Sequence, residues 1–229
     1  MELHNPADFL RVFVLSAAVF GWPATDPAHA DPPDYFARLI DAGNVGFEFY
    51  DPVREPRKHH GYTTFQYNVT YRSSFRYQWA DRPNGRQVSI QPKIDQVRCT
   101  VANVVQLPET LTHDRRWSNS LVEHEFVHVA MTLDPRVRML IEHLCEGTPN
   151  LAGILPPGTP VTDEVLERMI HEAVESRYQA VHKLLMTNQN DLDVQTRHGV
   201  ADLGDRRGYF GGLFADSNLK EHRFPFLEE

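Results

Sequence analysis

The chemistry that this sequence offers is concentrated in one short segment, His124-Glu125-x-x-His128. No Gly or Pro interrupts residues 117–134, so the segment is predicted to be helical. Residues four apart on a helix lie one above the other, and both imidazoles can therefore reach one metal ion. Glu125 projects about 100° further round the axis. The spacing predicts two zinc ligands, His124 and His128, and a general base, Glu125.

Apolar residues around this segment recur at helical spacing, as in a buried helix: Trp117, Leu121, Val122, Val129, Ala130 and Leu133. Buried His and Glu side chains are costly unless they are paired or bound to a metal. The alternative is a structural helix whose histidines are satisfied by hydrogen bonds. The cost of burial favours zinc, Zn2+, as the cofactor.

A catalytic zinc takes three protein ligands and leaves a fourth position to water, so a third ligand must come from elsewhere. Asp134 follows His128 by six residues, but Met131 stands where such an arrangement needs a Gly to turn the chain, and a helix-cap role fits Asp134 better. Glu142 and Glu146 have suitable spacing, although exposed carboxylates at a helix end are the more usual reading.

Later histidines are also candidates for the third ligand. His171 belongs to a polar stripe on a predicted long helix, a stripe that also contains Glu175, Tyr178 and His182. His198 lies in a segment predicted to be a loop that folds back over the motif helix. Physical reasoning from the residues leaves the third ligand open.

Length and composition predict one globular domain, and the order of predicted strands and helices predicts an α+β fold. The chain has 229 residues and is 41% hydrophobic, enough for one sizeable core. Its net charge of −8 argues against a nucleic-acid or anionic-membrane surface. The nearest basic cluster, within residues 54–60, lies in a stretch that contains Pro and is predicted to be a solvated loop. The expected partner is a peptide or protein substrate.

The amino-terminal residues are predicted to be a signal peptide, residues 1–30, followed by a single zincin-like metallopeptidase domain, residues 31–229. An apolar run, Val12–Trp22, precedes Ala28-His29-Ala30, which has the form of a signal-peptidase site. The usual positive leading segment is missing, and the alternative is a short amphipathic helix that remains on the protein. The protein is expected to be secreted or periplasmic, without stable membrane insertion. In an oxidising compartment a Cys99–Cys145 disulfide is slightly favoured over two free thiols.

The predicted order of elements is a small antiparallel sheet followed by a helical half. A helix from Asp34 to Ala42 and a strand from Val45 to Tyr50 come first. Alternation in residues 64–71 predicts a half-buried strand, and residues 86–90 and 96–107 supply further strands. Thr112 or Asp114 is expected to cap the motif helix, and Asp134 the next, which runs to about Leu144. Residues 147–160 are predicted to be a loop, Thr162 to open a long helix ending near Thr187, and the last forty residues to be mostly irregular.

Several features together resemble a bacterial family of predicted secreted zinc-dependent proteases, known as a domain of unknown function. The resemblance rests on the His124-Glu125-x-x-His128 segment, on Asp193-x-x-Thr196-x-His198-Gly199, and on the arrangement of Gly61-Tyr62-Thr63, Cys99, Leu107-Pro108 and Trp117. It implies a zinc peptidase and favours His198 as the third zinc ligand. The chain departs from the family in having Val127, where members tend to carry Gly immediately before the second motif histidine.

The expected activity is peptide-bond hydrolysis by zinc-activated water, with Glu125 as general base. Tyr178 or Tyr209 is a candidate donor to the oxyanion, and Glu123 or Asp193 a candidate partner for the ligand histidines. The alternatives are a zinc-binding envelope or adhesin-type module with little or no peptidase activity, a metal-free envelope domain, and a different zinc hydrolase such as a cell-wall amidase.

Overall fold

The computed structural model describes residues 9–11, 31–111 and 114–227. Most of the predicted signal peptide, residues 1–8 and 12–30, lies outside these ranges. The architecture is α+β, as expected from the sequence. In chain order the elements are β1 (Phe9–Arg11), α1 (Asp34–Gly43), β2 (Val45–Tyr50), β3 (Tyr62–Arg82), β4 (Gly85–Pro108), two 3-10 turns (Glu109–Leu111 and Asp114–Ser118), α2 (Ser120–Thr132), α3 (Pro135–Glu146), β5 (Leu151–Leu155), α4 (Asp163–Thr196), α5 (Arg206–Gly212) and α6 (Asp216–Glu221).

Two long strands, β3 and β4, form the centre of the sheet. They are joined by a two-residue turn at Pro83-Asn84, where Gly85 has a φ of +135° that other residues rarely adopt. The strand order is β1-β3-β4-β2, and β5 also pairs with β4. β2 runs parallel to β4, so the sheet is mixed, and the prediction of a purely antiparallel sheet was wrong. Residues 51–61 lead the chain from β2, on one edge of β4, to β3, on the other edge. The alternation of apolar and polar residues predicts strands but not which strands pair or in which direction.

One face of the sheet is buried under the helices and the other faces solvent. In β3 the odd-numbered side chains Tyr67, Val69 and Tyr71 are buried, while even-numbered ones such as Gln66 and Asn68 are exposed. The buried side chains join one hydrophobic core with residues of α2, α3 and α4. The predicted half-buried strand is confirmed, because period-two alternation places every second side chain on the same face.

The long helix α4 continues nine residues beyond its predicted end at Thr187. Thr162 caps its first turn, as predicted, by accepting a hydrogen bond from the Val165 amide. Its last turns bury Asn188, Gln189 and Thr196 with Leu192, so the buried stripe continues with polar residues. The apolar stripe in the sequence ends where these polar residues begin, so it predicts too short a helix. Their side chains can be buried because they find hydrogen-bond partners inside the protein.

Other local expectations divide between confirmed and wrong. Asp134 caps α3 as predicted, with its carboxylate accepting from the Arg136 amide at 2.9 Å. The motif helix α2 is capped by Asn119, not by Thr112 or Asp114. Residues 147–160, predicted as a loop, contain β5, which pairs with residues 86–90 of β4. Cys99 and Cys145 are free thiols, so the favoured disulfide is not formed.

Candidate metal centre

The motif helix α2 presents its two histidines and its glutamate to the protein interior. His124, Glu125 and His128 are 6%, 3% and 4% exposed. Asn119 begins the helix by accepting a hydrogen bond from the Leu121 amide at 2.9 Å, one turn before the motif. On the other side of the helix, Phe126 packs against an aromatic cluster with α1 and β2. This packing fixes the rotation of α2 about its axis, so that the histidines face α4.

Three atoms capable of binding a metal converge between α2 and α4. The two Nε2 atoms of His124 and His128 are 3.1 Å apart, and Asp193 Oδ1 lies 2.9 Å from the first and 3.0 Å from the second. Two ligands of a tetrahedral zinc, each bound at about 2.0–2.1 Å, are separated by about 3.3 Å. The triangle observed is within a few tenths of an ångström of that geometry.

Protons alone do not satisfy all three contacts of this triangle. Burial raises the pKa of Asp193, but hydrogen bonds from His124 and His128 outweigh it and hold the pKa well below its usual range, so the carboxylate is ionised. If both Nε2 atoms carried a proton, two N–H groups would face each other at 3.1 Å. If one Nε2 atom lacked a proton, its lone pair would face the lone pairs of the Asp193 carboxylate oxygen, and that contact would be repulsive. A divalent cation accepts all three lone pairs at once, and two imidazoles with a carboxylate are a donor set that zinc uses in hydrolases.

Asp193 reaches this position because α4 extends to Thr196. The sequence pattern predicts a loop at Asp193 and suggests it only as a partner of a ligand histidine, whereas the structure places it on α4. On the continued helix, Asp193 and Thr196 share a face, and Thr196 Oγ1 lies 3.4 Å from Nδ1 of His124, the ring nitrogen away from the triangle. The sequence signal for this position is the Asp193-x-x-Thr196 spacing, which is helical.

His198, favoured as the third ligand, lies at the rim and not in the triangle. Its Nδ1 is 3.5 Å from Asp193 Oδ1, and its side chain is 39% exposed against 23% for Asp193. Arg197, His198 and Gly199 all have positive φ, which turns the chain sharply away from the end of α4. His198 therefore contacts the cluster through Asp193, as a neighbour of the carboxylate.

The other candidates for the third ligand lie away from the cluster. Asp134 is engaged with Arg136, and Glu142 with Arg138 at 3.7 Å. Glu146 is exposed at the end of α3. His171 contacts the Tyr71 hydroxyl at 3.1 Å. Among the described residues, His124, His128 and Asp193 form the one group of three or more His, Cys, Asp or Glu side chains close enough to share a metal ion.

The two tyrosines suggested as oxyanion donors, and Glu123, suggested as a partner of a motif histidine, contact other parts of the protein. The Tyr209 hydroxyl donates to the Asn188 carbonyl at 2.6 Å, and Tyr178 is buried in the core. Glu123 is half exposed and pairs with Arg206 at 3.9 Å. The structure thus places none of these three side chains against the ligand histidines.

The carboxylate of Glu125 is held from the side of β3. Thr63 Oγ1 donates to Glu125 Oε2 at 2.7 Å. Burial raises the pKa of Glu125, and the nearby His128 and the Thr63 hydroxyl oppose that rise. A buried carboxyl with a raised pKa, one residue from His124 and three from His128, has the environment typical of a general base. The family resemblance includes Thr63 in the Gly61-Tyr62-Thr63 block but assigns it no role, because its contact with Glu125 depends on how β3 packs on α2.

Two glycines allow the backbone to approach the site closely. A Cβ on Gly61 would lie 2.2 Å from Glu125 Oε1, and a Cβ on Gly199 would lie 2.8 Å from His124 Cβ. Gly199 also has a φ of +80°. Any side chain at either position would displace a residue of the motif.

A cavity of about 280 Å3 adjoins His124 on its Thr196 side, and Val127, Leu192 and Leu203 form part of its lining. Val127 is 5% exposed within the main core. The β-branched residue is thus accommodated beside open space. A larger cleft of about 690 Å3, between the end of α1, β4 and the α2–α3 junction, contains none of the triangle residues. The chemistry, rather than the cleft volume, identifies the candidate site.

Comparison with protein-family models, with curated protein sequences and with solved structures gives no match. Among the described residues, no helix has the length and apolar character needed to cross a membrane.

Proposed function

We propose that this protein is an exported zinc-dependent metallopeptidase in which His124, His128 and Asp193 hold the metal and Glu125 is the general base. The observation that carries the proposal is the convergence of two imidazole nitrogens and an ionised carboxylate oxygen within 3.1 Å of one another, beside a buried glutamate. The resemblance to predicted secreted zinc-dependent proteases supports it, as does the apolar segment with a cleavage-like site before residue 31.

When bound, zinc supplies Lewis acidity, which lowers the pKa of a water molecule and polarises the scissile carbonyl. Glu125 takes a proton from the attacking water as its oxygen bonds to the carbonyl carbon. The C–N bond then breaks, and Glu125 passes the proton to the leaving nitrogen, giving a carboxylic acid and an amine. Thr63 keeps the glutamate carboxylate in one orientation throughout, by donating to the oxygen at 2.7 Å.

The same donor set, two histidines and one carboxylate, also binds Fe(II) in oxygenases, so the donors alone do not choose the metal. Glu125 favours hydrolysis. It is not one of the three converging donors, and its burial next to them has a clear use as an acceptor of a water proton. An oxygenase needs no such base at that position.

The test uses the full chain. Metal analysis after purification is expected to find about one zinc per chain, and Glu125→Gln is expected to abolish hydrolysis of an unfolded protein while zinc remains bound. Glu123→Gln is the matched control, because this half-exposed glutamate on the same helix makes only a surface ion pair. Zinc retention without turnover on any peptide would indicate a zinc-binding envelope module. Absence of zinc would refute the proposal.

A further inference from the structure

The loop of residues 51–61, which contains the basic cluster noted in the sequence, comes to the rim of the candidate metal centre. The His59 ring stacks on the His198 ring, with centroids 3.5 Å apart and planes inclined by 26°. Gly61, at the end of this loop, abuts the Glu125 carboxylate. The crossing between β2 and β3 therefore forms one wall of the site, and the turn after α4 forms the adjoining wall.

The residues that precede the two stacked histidines are both cationic, Lys58 and Arg197. Both are exposed, and neither side chain has an ion-pair or hydrogen-bond partner among the described residues. Other cations of these segments are neutralised: Arg54 pairs with Asp51 at 3.2 Å, and Arg57 with Glu55 at 3.2 Å. Lys58 adjoins His59 and Arg197 adjoins His198, so both long cationic side chains begin at the stacked pair and can reach this rim of the site.

These charges stand out because the protein as a whole carries a net charge of −8. The acidic side chain that contacts His198, Asp193, is already engaged by His124 and His128. A carboxylate brought to the rim can therefore pair with two cations that have no ion-pair partner among the described residues. A flexible Lys and a forked Arg are both suited to bind a carboxylate, and charge complementarity at the rim favours one substrate over another.

We propose that Lys58 and Arg197 bind a carboxylate of the substrate beside the scissile bond, so that the enzyme selects acidic peptides. The inference rests on the proposed function, of which it names the substrate class. The carboxylate has two possible sources, an Asp or Glu side chain and the carboxyl terminus of the peptide. Both present the same chemistry to the rim.

The test uses octapeptides of Ala, Leu and Phe in which a single Glu is moved through every position. Each has a matched peptide with Gln in place of Glu, and each is made as a terminal acid and as a terminal amide. Turnover by the zinc-loaded protein gives kcat/KM. Binding of the same fluorescently labelled peptides to Glu125→Gln, followed by anisotropy, gives affinity without hydrolysis.

The variant is Lys58→Gln combined with Arg197→Gln, which removes both charges. The control is Arg76→Gln, an exposed arginine thirteen residues along β3 from Thr63, or roughly 40 Å. Wild type is expected to prefer a carboxylate peptide by roughly three- to tenfold at low salt, because exposed charge pairs are individually weak. The double variant is expected to lose that preference, and Arg76→Gln to keep it.

Comparison of the peptide pairs identifies the source of the carboxylate. A preference that follows the Glu position indicates a side-chain carboxylate, and one that follows acid over amide indicates the chain end. Equal binding and equal turnover of all matched pairs, or a preference that survives in the double variant, would overturn the inference. If no peptide is hydrolysed, the proposed function fails. The binding measurement on Glu125→Gln still decides whether Lys58 and Arg197 bind a carboxylate.

Discussion

Removing the Asp193 carboxylate is expected to weaken zinc binding more than removing the His198 ring. Asp193 Oδ1 lies 2.9 and 3.0 Å from the two Nε2 atoms, whereas His198 reaches only Asp193, at 3.5 Å. Zinc sites with four protein ligands have apparent binding free energies of about 10–16 kcal/mol, or about 3 kcal/mol per ligand. Asp193→Asn is therefore expected to weaken zinc binding by on the order of a hundredfold or more.

His198→Ala is expected to have a smaller effect on zinc binding. Loss of a hydrogen-bonded partner of a ligand typically weakens metal affinity about 10- to 100-fold. A contact of 3.5 Å is at the limit of a hydrogen bond, which places His198 near or below the lower end of that range. The two variants should then differ by about tenfold or more.

A competition titration against a chromophoric zinc chelator at neutral pH measures both affinities. Asp191→Asn is the control, since it removes a carboxylate two residues earlier on α4 that pairs with His222 and lies outside the site. Circular dichroism of the metal-free variants verifies that each is folded. A larger loss for His198→Ala than for Asp193→Asn would refute the assignment and make His198 the third ligand, as the family resemblance favours.

Three further outcomes are expected. Gly199→Ala and Gly158→Ala each place Ala at a φ near +80° and should each cost about 1–2 kcal/mol of stability in thermal denaturation. Only Gly199→Ala, whose Cβ meets His124, should also weaken zinc binding. Equal zinc affinity in the two variants would count against the close packing of Gly199 on His124. Thr63→Val should lower kcat with zinc content unchanged, because the Glu125 carboxylate loses its donor, and an unaltered kcat would show that this hydrogen bond does not position the base. Burial raises the pKa of Cys99 and of Cys145 to about 12, so both thiols should react slowly with a disulfide reagent near pH 8 and rapidly after unfolding without reductant; finding no thiols in the unfolded chain would reveal a disulfide.

The motif helix was predictable from the sequence because its information is local. The His124, Glu125 and His128 spacing matches the helical period, and no helix breaker interrupts it. The buried face of β3, the cap at Asp134 and the cap at Thr162 were predictable for the same reason. Each depends on residues no more than a few positions apart.

The third member of the triangle depends on contacts between segments far apart in the chain. α4 continues past Thr187 because the Asn188 and Gln189 side chains form hydrogen bonds inside the fold. A hydropathy pattern contains no information on those hydrogen bonds. The extension carries Asp193 into the triangle and leaves His198 at the rim. Contacts such as Thr63 with Glu125, 62 residues apart, and His59 with His198 join segments whose spacing carries no periodic signal. The local spacing was enough to predict that His124, Glu125 and His128 lie together on one helix, and the packing of α4 on α2 places the Asp193 carboxylate beside the two histidines.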